Sequence, residues 1–237
     1  MLVLFFSMEK QPKPLFKLSP SSLHLFLECP RCFWLEKVKK ISRPDSIFPS
    51  LPSGMDKILK EHFDRFMDKG LLPPELHTNG LQNYKLFSDK ALLKIWRNNL
   101  KGIEWLDTAT NILLRGAVDN ILVKGNKHIV LDYKTRGFPL KEDTHEHYVL
   151  QMDIYNLLLR KNGYLTEDYS YLLFYYPKEV LKTGEVVFET VVKKMIVNIA
   201  NGQKVFQEAC AVLLQEDPPE PSGACGFCHW AKGMLEE

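Results

Sequence analysis

Two short apolar runs, Ile121 to Val123 and Ile129 to Leu131, flank the pair Gly125-Asn126. That pattern predicts two antiparallel strands joined by a two-residue hairpin. A loop of that length fixes the register, so that opposed residue numbers sum to 251. Elsewhere the period is helical. Leu23, Phe26, Leu27, Phe33 and Trp34 give an apolar side to a helix that Ser19-Pro20-Ser21-Ser22 opens with hydroxyl caps and a first-turn proline. A Pro- and Ser-rich link from Pro44 to Ser53 leads to a helix over 54–69. Over 70–110, Pro73-Pro74 and Asn79-Gly80 interrupt the pattern around a helical stretch at 89–100, which predicts a small helical insertion lobe. After the hairpin come a helix over 144–162, strands over 170–176 and 186–192, and a helix over 195–214. Strands interleaved with helices predict a single α/β (α+β) domain over 1–237.

The hairpin register carries chemistry. Asp119 falls opposite Asp132, with Cβ atoms about 4.5–5.5 Å apart. Lys134 shares a face with Asp132, opposite Ala117. An edge hairpin with solvated charges would need nothing more, but Asp132 follows Ile129-Val130-Leu131, a run that predicts a strand covered on both faces. Unpaired carboxylates are costly there. A hydrated divalent cation between the two removes their repulsion, and oxygen ligands with retained water suit Mg²⁺.

In their order and spacing, Gly116-Ala117-Val118-Asp119, Asp132-Tyr133-Lys134-Thr135 and Gln151-Met152-Asp153-Ile154-Tyr155 resemble the signature of the RecB-type PD-(D/E)XK nucleases. The resemblance runs from about Ser19 to Cys228. It implies a restriction-endonuclease-like core, a mixed central sheet flanked by helices. It also implies Mg²⁺ or Mn²⁺ held by Asp119, Asp132 and the Tyr133 carbonyl, with Lys134 positioning the attacking water and Gln151 and Tyr155 holding strand and DNA beside the metal. By periodicity alone, Tyr148, Gln151, Tyr155 and Leu158 share one helix face, which suits a core face with Gln151 at its edge equally well. One family feature departs. A histidine is expected about one turn after a helical glycine, yet Gly54 precedes Met55-Asp56-Lys57-Ile58 and the histidine of that helix is His62. His62 falls among Met55, Ile58, Leu59 and Phe66, either as a metal ligand shifted by a turn or as a hydrogen-bonded core residue.

Four of the five cysteines form two Cys-x-x-Cys pairs, Cys29/Cys32 and Cys225/Cys228. In a cytosolic protein such pairs predict thiolate ligation rather than disulfides. One shared centre would clip 19–34 to 225–228. Zinc and iron-sulfur both accept four thiolates. The resemblance implies a [4Fe-4S] cluster, but the related pattern is one N-terminal cysteine and three C-terminal ones, and position 234 here is Met, so zinc remains the alternative. Cys210, in an apolar helical stretch, is expected to be core.

Composition changes this picture little: hydrophobic residues are 45% and charged residues 25% of the chain, as in ordinary soluble domains. The net charge of +2 conceals an asymmetry, with net +5 over residues 1–44 and −5 over 207–237. A phosphate backbone is attracted to the first and repelled by the second. Met1-Leu-Val-Leu-Phe-Phe is apolar for only six residues, short of a signal peptide or membrane span, so a cytoplasmic protein is expected, and Met8 is an alternative start. No G-x-x-x-x-G-K-[ST] segment is present, so ATP-driven unwinding would need a helicase or other repair or CRISPR partner. The leading expectation is a metal-dependent DNA nuclease acting on single strands or duplex ends. The alternatives are a nucleic-acid-binding module with an idle site, in which the strand Tyr171 to Tyr176 grips the nucleic acid, and a cysteine-clipped scaffold of a repair complex.

Overall fold

The computed structural model describes residues 13–236. The apolar stretch at Met1 and the alternative start at Met8 lie outside them. Strand β1 (Phe16–Leu18) leads into α1 (Pro20–Glu28), where the Ser19 side chain accepts from the Ser22 backbone and Ser22 answers onto Ser19, a reciprocal cap. Cys29 is extended (φ −159°) and breaks the helix before α2 (Pro30–Trp34). A π-helical turn, Leu35–Lys39, and an irregular link reach α3 (Ser50–Met67). Helix α4 (Pro74–Thr78), strand β2 (Lys85–Leu86), helix α5 (Lys90–Trp96) and strand β3 (Ile103–Asp107) follow. The 70–110 stretch carries α5 within the expected helical stretch at 89–100, together with the short α4 and two strands that pair with their neighbours.

Strand β4 (Ile112–Gly116) precedes the hairpin of β5 (Asn120–Lys124) and β6 (Lys127–Thr135). Asn120 pairs with Leu131 and Lys124 with Lys127, the expected register, and Gly125 takes a positive φ (+60°) in the turn. A 3₁₀ turn, Glu146–Tyr148, opens α6 (Val149–Lys161), and β7 (Tyr169–Val180), β8 (Val186–Ile196), α7 (Ile199–Leu213) and α8 (Gly226–Glu236) complete the chain. One sheet runs β2-β5-β6-β7-β8, parallel only between β6 and β7, and a smaller one runs β1-β4-β3.

Alternation along β6 sorts its side chains onto two cores. Ile129, Leu131 and Tyr133 pack with Leu59 and Phe63 of α3 on one face. Val130 packs with Met152, Leu158, Val205 and Phe206 of α6 and α7 on the other. Asp132 and Lys134 follow Val130 in the alternation and emerge where α6 begins. Residues Tyr171 to Tyr175 are buried in these same two cores. They have no face to offer a nucleic acid, which leaves only the partly exposed Tyr176 of the strand expected to grip one. Helix α6 approaches β4 so closely that a Cβ at Gly116 would lie 2.8 Å from the Tyr155 ring. The glycine therefore sets how near Tyr155 and Gln151 come to the hairpin.

Candidate active site

Asp119 sits one residue before β5, and its carboxylate turns back onto the neighbouring strand. Its Oδ2 accepts from the Tyr133 backbone N–H at 2.8 Å, and its Oδ1 lies 3.0 Å from Lys60 Nζ. Lys60 stands on α3, where it also contacts Asp56 one turn earlier at 2.8 Å. Arg97, which ends α5, donates to the Asp119 carbonyl at 2.6 Å and to Asp64 of α3 at 2.7 Å, fixing the backbone beneath the site.

Across the hairpin Asp132 is only 2% exposed. Lys134 Nζ lies 2.5 Å from its Oδ2 and donates to Gln151 Oε1 at 3.0 Å, while resting 4.6 Å from the Tyr148 ring centroid. Gln151 Nε2 in turn donates to Asp132 Oδ1 at 3.4 Å and to the Tyr155 hydroxyl at 2.7 Å. Asp119, Asp132, Lys134, Gln151 and Tyr155 are thus brought together, with α6 supplying the last two. Tyr133 sends its side chain the other way, its hydroxyl accepting from Asn120 and its ring on Phe63.

Burial pushes the Asp132 carboxyl up to about 7, with Asp119 adding to the rise and Lys134 opposing it. Burial also opposes charge on Lys134, but the adjoining Asp132 outweighs it and holds the ammonium above its ordinary range. Asp132 Oδ2 is paired by the Lys134 ammonium at 2.5 Å, and Asp119 adds a second negative charge nearby. Two carboxylates gathered with so little exposure fit a hard divalent cation that offsets their repulsion.

His62 is not brought to this site. Its Nε2 lies 2.9 Å from Glu75 Oε1, the oxygen that also accepts from the Tyr175 hydroxyl at 2.7 Å. Among the described residues His62 belongs to no cluster of potential metal ligands with Asp119 and Asp132. Of the two roles expected for His62, the Glu75 carboxylate of α4 gives the ring the partner that a hydrogen-bonded core residue requires. The α3 residues that do reach the site are Asp56 and Lys60.

The four cysteines converge at the far end of α1. Cys29 and Cys32 flank the α1–α2 break, and Cys225 and Cys228 enter and begin α8. Their sulfur atoms all lie within 4.8 Å of one another, with Cys29 to Cys228 at 3.8 Å, Cys32 to Cys225 at 3.6 Å and Cys32 to Cys228 at 3.5 Å. Burial raises the Cys32 thiol, and burial with neighbouring sulfurs raises Cys228. Burial opposes the Cys225 thiolate as well, but the Cys228 backbone N–H and the surrounding thiols favour it and bring it down to about 6. Arg43 donates to Cys225 Sγ at 3.6 Å. Cys210 lies apart in the core, its thiol pushed up to about 12 by burial.

A sequence model of the PD-(D/E)XK nuclease superfamily matches residues 17–232. The chain belongs to the PD-(D/E)XK nuclease superfamily. A comparison with curated proteins finds no match. Membership agrees with the two mixed sheets and flanking helices of a restriction-endonuclease-like α/β fold. No helix among the described residues is long and apolar enough to cross a membrane. Within the superfamily fold, Asp56 and Lys60 are the site residues that sequence reasoning missed. Their i,i+4 spacing beside the Leu59/Phe63 stripe was the available signal.

The Asp132 shift gives a pH dependence with a definite sign. The unfolded carboxyl titrates near pH 3.9 or so, and the folded one near about 7. Between those values the folded state holds the extra proton, so this group's contribution to stability falls as pH rises through the window. A cation held by Asp132 would need the carboxylate, so its affinity, read with Mn²⁺, would climb about tenfold per pH unit below 7 and level off above it. A Mn²⁺ titration followed by electron paramagnetic resonance checks this, and an affinity flat across that range would contradict it.

Proposed function

We propose that the protein hydrolyses DNA phosphodiester bonds with a divalent cation, Mg²⁺ or Mn²⁺, held by Asp119 and Asp132. The observation that carries this reading is the buried Asp132 carboxyl, with Lys134 and Gln151 on it and its charge opposed by the neighbouring Asp119. Such a cation would polarise a phosphoryl oxygen and acidify a water. Lys134 stands where its ammonium, fixed by Gln151 and Asp132, can orient a water and offset charge developing on the phosphate. The Tyr155 hydroxyl holds Gln151, so its part is to keep the lysine aimed. Lys60 places a second cation on Asp119, on the α3 side, where it can meet a phosphate oxygen. DNA repair, recombination or CRISPR-type processing, with a helicase or other partner for unwinding, suits a nuclease with no ATP-binding loop of its own.

At the cysteine cluster we read a single tetrahedral ion, zinc, rather than the [4Fe-4S] cluster that the RecB-type resemblance implies. Thiolates about 2.3 Å from one tetrahedral zinc stand roughly 3.8 Å apart. Three of the six sulfur spacings, at 3.5–3.8 Å, agree with that figure, and all six lie within 4.8 Å. A cubane interposes irons and sulfides between its thiolates and holds them farther apart. The centre lies on the α1, α2 and α8 side of the fold, and its contribution is to clip the chain ends together.

The test of the nuclease reading is turnover of end-labelled single-stranded and duplex DNA with and without Mg²⁺ or Mn²⁺. Cleavage that appears only with the cation is the expected result. Cleavage undiminished without it, or none on any DNA, would overturn the reading.

A further inference from the structure

Beside the four cysteines lies a groove of about 980 Å³. One wall is α8, with Phe227, Trp230 and Lys232; the other is Arg31 of α2 and the segment Ile41–Pro44. Among the described residues Arg31, Arg43 and Lys232 line it and no Asp or Glu does. Glu208, Glu216, Asp217 and Glu220 of the C-terminal segment lie outside the lining. Lys39 and Lys40 are exposed between Leu35 and Ile41, two residues that line the groove, and so extend its basic rim.

The aromatic residues decide what kind of anion fits. Trp230 is 66% exposed and Phe227 45% exposed. The Arg43 guanidinium covers the Phe227 ring at 4.6 Å and is itself tied to Glu28 at 2.6 Å, so one wall is braced. Trp230 stacks on no other ring among the described residues. An open indole in a groove lined by Arg31 and Arg43 offers a stacking platform with phosphate partners at its sides. Bases in a duplex are already stacked on one another, so only an unpaired strand can use it.

We propose that this groove binds single-stranded DNA, with Trp230 stacking on bases and Arg31 meeting a phosphate. The proposal rests on the nuclease reading above and gives that enzyme a hold on an unpaired tail of its substrate. Because α8 is anchored through Cys225 and Cys228, the wall that carries Trp230 is set by the cysteine centre. Strand binding therefore depends on that centre.

The experiment measures anisotropy of a labelled oligo(dT) of roughly 15 nucleotides with the full chain, its cysteine centre intact and no Mg²⁺ or Mn²⁺ added. Trp230→Ala should weaken binding about tenfold or more, and Trp230→Phe should restore most of it. Arg31→Gln should lower the slope of log affinity against log salt by about one phosphate contact. A blunt hairpin duplex should bind Trp230→Ala as it binds the parent. Metal content measured on each variant shows that α8 remains anchored. Unchanged oligo(dT) binding by Trp230→Ala would overturn the proposal and leave the indole to a protein partner, as would an equal loss on the duplex. Tighter binding of oligo(rU) would overturn the assignment to DNA. If the parent cleaves DNA while Trp230→Ala binds unchanged, the groove proposal alone fails; if the parent neither binds nor cleaves DNA, the nuclease reading fails with it.

Discussion

Asp119→Asn, Asp132→Asn and Lys134→Ala should each lower cation-dependent cleavage by about a thousandfold or more, since a Lewis acid contributes several kcal/mol of transition-state stabilisation. DNA binding should change little, because each side chain serves the reacting phosphate rather than the flanking strand. The asparagines are chosen for stability. Removing Asp132 outright would strand the buried Lys134 ammonium, and breaking a buried pair costs about 3–5 kcal/mol. An amide of the same shape keeps a partner for Lys134 and removes the charge that holds the cation. Lys134→Ala is milder in this respect, since Asp132 already sits near about 7 and can take a proton when its cation is lost. Activity within a factor of about two of the parent, for any of the three, would be incompatible with the site as assigned.

Lys60→Ala sorts the remaining contacts. If Lys60 meets a phosphate oxygen, KM for DNA rises while the Mn²⁺ titration of the free protein is not weakened. His62→Ala should leave both unchanged, since the ring is committed to Glu75 at 2.9 Å.

What could be read from residues alone follows from period. Strand alternation is strict, so a two-residue turn at Gly125-Asn126 was enough to set the register from Lys124 with Lys127 to Asn120 with Leu131; pairing ends there, and Asp119 sits in a bend just before the strand with its carboxylate on the Tyr133 N–H. The cap at Ser19 was legible because its partners lie within four residues. Strands β2 and β3 were not, since two and five residues give too few alternations to stand out from the breaks around them. Helix α8 was hidden because Cys225-Gly226-Phe227-Cys228 reads as a ligand knuckle, and the helix continues beyond it. Helical period placed His62 near the inward face of α3, but its partner Glu75 comes from α4, and nothing in the sequence of α3 shows which neighbour each side faces. Lys60 lay on the same helix and was passed over because lysine is most often solvated there.

Cys29→Ser, Cys32→Ser, Cys225→Ser and Cys228→Ser should each lose metal and stability together, whereas Cys210→Ser should lose stability alone. Cys32 and Cys225 are 193 positions apart in the chain, so a centre shared between them closes nearly the whole length of the unfolded chain. Closing a loop of that size is worth about 5 kcal/mol in the chain-entropy account, comparable to a large part of a small domain's stability. Metal that binds only when both ends are in place adds its binding energy to folding. Cys210 contributes no ligand, and a hydroxyl in its buried place costs about 1–2 kcal/mol. Elemental analysis with thermal unfolding of the same samples measures both quantities. The parent should carry one zinc per chain and be colourless, as the sulfur spacings suit one tetrahedral ion. A brown sample with several irons per chain would replace zinc by a cluster, since thiolate-to-iron charge transfer absorbs visible light. Full metal content in the Cys29→Ser, Cys225→Ser double variant would show that the two pairs do not share a centre at all.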